Sequence, residues 1–166
     1  LFKSYLAGLQ KYIPSMMPIF APNVNSYRRL ARFSNAPINL QWGYDNRTCG
    51  LRVPFGDPSA MRVENRVPGA DANPYLAFAA TLACGYLGMV DELEPTKEQK
   101  GSAYTGKYTL PRELSHALDL MDANKRMREL LGERLVDVLV AVKRAEYDTY
   151  LRVISSWERE HLLLNV

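Results

Sequence analysis

The sequence predicts an α+β fold in which three or more short antiparallel strands pack against helices, and three observations lead there. Between residues 38 and 66, apolar side chains alternate with polar ones at period two, as in half-buried strands. From residue 73 onward the apolar residues return at helical spacing instead. The chain has 166 residues, 47% of them apolar, which suits one ordered unit over 1–166 with a sizeable core.

Phe2, Leu6, Leu9 and Ile13 recur at spacings of three and four, so residues 1–13 form a helix that Pro14 and Pro18 should end. Pro22-Asn23 marks a further loop. Ile38, Leu40 and Trp42 alternate with Asn39 and Gln41, predicting a strand over 38–42 with one buried face. A second strand, 48–53, puts Cys49, Leu51 and Val53 on one side and Arg52 on the other, with Asp45-Asn46 as turn material between the two. A third, 61–66, would gather Arg62, Glu64 and Arg66 on one face.

Asn73-Pro74 combines an N-cap acceptor with proline at the first helical position, opening a helix that runs to about Val90. Its nearly uniform apolarity predicts packing on several sides. Residues 91–109 are polar and read as a surface excursion. Short helices follow over 112–120 and 123–131. A last helix over 133–158 carries Leu135, Leu139, Val142, Tyr150, Ile154 and Trp157 on or near one stripe.

Composition excludes several functions. The longest apolar run, Tyr75 to Val90, contains Thr81 and two glycines and falls short of a membrane span. Cys49 and Cys84 form neither a staple pattern nor a metal knuckle, and they fit a reducing compartment. No targeting signal is visible before the first helix, so a cytoplasmic protein is expected.

The net charge of +3 is local. Residues 23–70 hold seven arginines, no lysine and three carboxylates, while the remainder is nearly balanced at 14 basic and 15 acidic groups. Arginine alone, without a lysine-rich stripe or binding motif, suits bidentate capture of carboxylate or phosphate better than nucleic-acid binding. A solvated basic surface is the plainer alternative. Glu64, flanked by Arg62 and Arg66, reads either as part of an ion-pair ladder or as a hard oxygen ligand for a magnesium-like ion.

The ordered set NSYRRL, WGYDNRT, LRVP, ENR and PGADANPYLA resembles the C-terminal part of the glutamine synthetase catalytic domain over essentially the whole chain. Within that family it looks more like the branch that makes gamma-glutamyl polyamines, gamma-glutamylputrescine among them. The resemblance implies ATP- and Mg2+- (or Mn2+-) dependent joining of glutamate to an amine through a gamma-glutamyl phosphate. It implies that Arg29 holds the amino-acid substrate and that Arg47 and Arg52 lie near the nucleotide phosphates and the moving phosphoryl group. Glu64 would be a metal ligand, and Arg66 would serve both glutamate and the phosphoryl charge. It also implies a ring-shaped homo-oligomer, with no nucleic-acid or membrane partner.

One position departs from the ammonia-using members, which carry a flap glutamate where this chain has Asn35. Asparagine has no titratable group and cannot act as a general base, so a bulkier amine than ammonia is expected. The family's N-terminal beta-grasp domain and the first half of its catalytic domain, with the other metal ligands, are not among these residues. His116 and His161 lie in no metal-ligand pattern. The chain alone is therefore expected to be inactive. The rival readings are an ammonia-dependent glutamine synthetase, a non-catalytic structural or regulatory homologue, and a simple anion-binding module.

Overall fold

The computed structural model describes residues 1–165. The first helix, α1, spans Phe2–Phe20 and passes through both Pro14 and Pro18. Each proline removes an amide donor and costs about 3 kcal/mol in a helix interior. Burial outweighs that cost. Ile13, Met16, Met17 and Phe20 are wholly buried, and each contributes about 1.5–3 kcal/mol. Local propensity alone makes these prolines stops; the packing of α1 overrides it.

α2, Pro74–Val90, starts where the sequence places it: the Asn73 side chain accepts hydrogen bonds from the amides of Tyr75 and Leu76. It crosses α1 at an unusually close approach. A Cβ on Gly8 would run into the Cys84 carbonyl and the Gly88 backbone, and one on Gly88 would run into the Ser4 carbonyl and Gly8. Helix propensity alone favours alanine over glycine by about 1 kcal/mol. Backbone offers no room to yield, however, so Gly88→Ala is expected to destabilise the chain by roughly 1–3 kcal/mol net. Urea unfolding of this chain measures it, and a midpoint equal to or above the parent's would refute the close-approach account.

α2 is not enclosed on all sides as its composition predicted. Cys84 and Leu87 are buried, but Tyr75, Phe78, Leu82 and Tyr86 form an open apolar stripe in this chain. Three further helices, α3 (Leu114–Ala123), α4 (Lys125–Leu131) and α5 (Glu133–Tyr150), complete the helical layer. The long terminal helix expected to reach 158 ends at Tyr150. Ser155 caps a separate α6, Ser156–His161, through a reciprocal capping box with Glu158. The S-x-x-E spacing was the available signal.

Three short strands form one sheet in the order β1 (Trp42–Tyr44), β2 (Leu51–Val53), β3 (Glu64–Asn65). The α+β class stands, with one correction of direction: β2 and β3 are antiparallel, but β1 and β2 are parallel. Parallel pairs usually need a long crossover. Here each strand is three residues, about 10 Å, so the six-residue return 45–50 suffices to bring the chain back.

The strand expected over 38–42 begins only at Trp42. Ile38 and Leu40 are buried as predicted, but so is Asn39, whose amide donates 2.8 Å to the Ala103 carbonyl instead of facing water. That bond belongs to a strap. Residues 92–109 are stitched over the sheet by Trp42 Nε1 to the Thr96 carbonyl at 2.7 Å, and by Asn46 Nδ2 to the Gly101 carbonyl at 2.7 Å. The Ala103 amide also donates to Thr48 Oγ1 at 2.8 Å. Polar composition concealed this anchoring. No described helix is long and apolar enough to cross a membrane.

Candidate active site

β2 buries Leu51 and Val53 and so turns Arg52 to the opposite face, directly across from Glu64 on β3. Arg52 donates from Nη1 to Glu64 Oε2 at 2.7 Å and from Nη2 to Asp45 Oδ1 at 2.6 Å. These bonds, Glu64's first and Asp45's second, push its guanidinium above the ordinary arginine value. Asp45, with φ of +44°, opens the return from β1 to β2. In the sequence Asp45 is turn material, and its pairing with Arg52 is visible only in the structure. The sequence alone does not mark the pairing, because it depends on the parallel register of β1 and β2.

Arg66 is the hub. Its guanidinium donates to the carbonyls of Arg47, of Cys49 at 3.3 Å and of Asn35 at 3.0 Å, and its Nε lies 3.7 Å from Glu64 Oε1. Its side chain is only 15% exposed, against 45% for Glu64. One side chain thus ties the 31–37 loop, the 45–50 return and β3 together. Burial pushes the Cys49 thiol up to about 11, with Arg66 opposing, so Cys49 stays a neutral packing residue.

Arg29 lies just outside this cluster, on a 3-10 turn over Ser26–Arg29. Its guanidinium donates to the Val67 carbonyl, one residue beyond Arg66. Burial lowers its pKa from the ordinary value while the nearby Asp71 works the other way. Asp71, in turn, is pushed up by burial but held below the usual carboxylate range by hydrogen bonds from Ser26 and Asn23.

Of the residues singled out from sequence, Arg52, Glu64 and Arg66 meet through their side chains. Asn35 and Arg47 join them only through backbone carbonyls. The Arg47 side chain is exposed and has no polar partner among the described residues. It borders a groove of about 410 Å3 between the 45–48 return and residues 98–102. Arg62 does not share the face of Glu64 as period two predicted. β3 covers only Glu64–Asn65, and Arg62 bonds instead to the Ala60 carbonyl at 3.3 Å. No group of three or more His, Cys, Asp or Glu side chains able to hold a metal ion occurs among the described residues.

The arrangement concentrates cationic donors around two carboxylates on an open sheet face, suited to an anion whose charge is shared with a cation. Comparison with known proteins agrees with the fold and with the motifs. The model of the glutamine synthetase catalytic domain matches residues 1–162. A type-1 glutamine synthetase of Dictyostelium discoideum is 40% identical over 98% of this chain and 32% of its own length. The gamma-glutamylputrescine synthetase of Escherichia coli is 42% identical over 99% of this chain and 35% of its own. A solved structure of GmaS with ADP superposes with a TM-score of 0.88 at 29% identity, covering 98% of this chain and 39% of that one. The chain spans about a third of the length of the curated relatives it matches. It belongs to the glutamine synthetase catalytic-domain family.

Proposed function

We propose that this chain is the C-terminal portion of a ligase that joins the γ-carboxylate of glutamate to an amine, an alkyl polyamine in preference to ammonia, using ATP and Mg2+ or Mn2+. In this reading a γ-carboxylate oxygen attacks the terminal phosphorus of ATP, ADP leaves, and a γ-glutamyl phosphate forms. The amine nitrogen then attacks the carbonyl carbon, phosphate departs and the nitrogen gives up a proton. Arg29 holds the glutamate. Arg66 holds glutamate and the equatorial phosphoryl oxygens, where preorganised charge lowers the barrier most.

Arg47 and Arg52 serve the nucleotide phosphates in different ways. Arg47 has uncommitted donors to offer, whereas Arg52, held between Asp45 and Glu64, acts through its charge. A bound divalent ion would neutralise charge on the transferring phosphate, and Glu64 is the residue here that would hold it. Its Oε2 is committed to Arg52, but Oε1 is freer, 3.7 Å from Arg66. Magnesium needs six oxygens, so the other ligands come from outside this chain or from water and substrate. The same reading makes the isolated chain inactive and the full-length protein a cytoplasmic, ring-shaped homo-oligomer.

The observation that carries the choice of acceptor is Asn35. Its carbonyl is bound to Arg66 and its side chain has no hydrogen-bond partner among the described residues; in this reading that free amide, rather than a carboxylate, meets the incoming amine. An amide attracts ammonium weakly and cannot take its proton. A polyamine recovers binding energy from its methylenes and its distant ammonium. The 42% identity to a gamma-glutamylputrescine synthetase supports the reading. The 40% identity to a glutamine synthetase keeps ammonium in the test.

With saturating glutamate and ATP, the full-length protein should show higher kcat/KM for putrescine and spermidine than for ammonium. Asn35→Glu should raise ammonium use relative to putrescine by about tenfold or more, a fraction of the roughly 100- to 10,000-fold that a fully positioned general base supplies. If ammonium is the best acceptor of the parent enzyme, the polyamine assignment fails.

A further inference from the structure

Phe33 combines two features that folding alone does not explain. Its φ is +62°, in the left-handed region where a bulky side chain is strained, and its ring is 81% exposed in this chain, so burial within the chain does not repay the strain. The ring is nonetheless held in place. Its centroid lies 5.4 Å from that of the buried Tyr104, tilted by 55°. The loop beneath it is pinned from both sides. Ser34 Oγ lies 2.6 Å from the carbonyls of Arg29 and Ala31, Arg32 donates to the Gly106 carbonyl at 3.1 Å, and Arg66 donates to the Asn35 carbonyl.

Phe33 and Asn35 are two positions apart, a span of at most about 7 Å between their Cα atoms. The flat exposed ring is therefore within reach of whatever approaches Arg66 and Glu64 past Asn35. We infer that Phe33, backed by Tyr104, is the apolar platform on which the methylene chain of the amine acceptor lies, and that it determines acceptor length. The inference rests on the amine-ligase reading above and adds the residue that selects within the amines.

Covering one methylene contributes about fourfold in affinity when burial is complete. The test is kcat/KM of the full-length protein for ammonium, methylamine, propylamine, butylamine and putrescine, in the parent and in Phe33→Leu and Phe33→Ala. The parent should gain roughly two- to fourfold per methylene. Phe33→Ala should flatten that slope and lower the putrescine-to-ammonium ratio by at least about tenfold, with Phe33→Leu between. Thermal melts of each variant confirm that the folded protein is being compared. A uniform loss across all acceptors, or an unchanged ratio in Phe33→Ala, overturns the platform while leaving the ligase reading intact. A parent enzyme that prefers ammonium overturns the platform and the polyamine assignment together, and it does so before any variant is measured.

Discussion

Glu64→Gln in the full-length protein is expected to lower turnover by roughly 100- to 1000-fold, a loss comparable to that of one preorganised electrostatic contact at a reacting site. Glutamine keeps the shape and can still accept from Arg52, but it takes away the charge that Arg52, Arg66 and a divalent ion would share. The stability cost should be small. Glu64 is 45% exposed, and exposed ion pairs contribute about 1 kcal/mol or less. Turnover at saturating Mg2+ together with urea unfolding separates the two possibilities. A variant with near-normal turnover and lowered stability would make Glu64 a strut in an ion-pair ladder and nothing more.

Arg66 should behave differently, because it is both charge and tether. Arg66→Ala removes the donor to three carbonyls, those of Asn35, Arg47 and Cys49. Of these only Cys49 is a buried residue, and a buried carbonyl left without a partner costs about 1–3 kcal/mol, so a loss of stability in that range is expected, with water replacing the donor at the exposed Asn35 and Arg47. Turnover should fall by about 1000-fold at the same time. Arg66→Lys is the informative companion. It keeps the charge, but a single ammonium on a flexible stem cannot span three carbonyls in a fixed fork. It should recover part of the stability and less than a tenth of the activity. Full activity in Arg66→Lys would show that the tether through Asn35 is not required.

The parts of this molecule legible in its sequence are those that local chemistry decides. Asn73-Pro74 announced α2 because both the cap acceptor and the missing amide act within one turn. Arg52 and Glu64 announced themselves because alternation on a strand fixes which face each side chain takes, and pairing then sets them opposite. Where distant residues decide, local sequence does not carry the answer. Pro14 and Pro18 stay inside α1 because Ile13, Met17 and Phe20 are buried by elements far along the chain. Residues 92–109 look like a solvated loop but are fixed by Trp42, Asn46 and Asn39, bonds that composition does not reveal.

The site shows the same division. Family motifs named Arg29, Arg47, Arg52, Glu64 and Arg66 and the roles expected of them, but not which of them touch one another. Asp45 emerged only with the unexpected parallel pairing of β1 and β2, which brings its carboxylate to 2.6 Å from Arg52. Arg62, placed on the Glu64 face by simple alternation, falls away because β3 is only two residues long.

The central claim is that the full-length protein activates the γ-carboxylate of glutamate as an acyl phosphate and lets an amine displace it. That chemistry moves one carboxylate oxygen to phosphate. Glutamate labelled with 18O in its γ-carboxylate, incubated with ATP, Mg2+ and putrescine, should yield inorganic phosphate carrying one 18O per γ-glutamyl amide formed, as read by mass spectrometry or by the 31P isotope shift. Unlabelled phosphate accompanying amide formation, or phosphate release with no amide, would contradict the account.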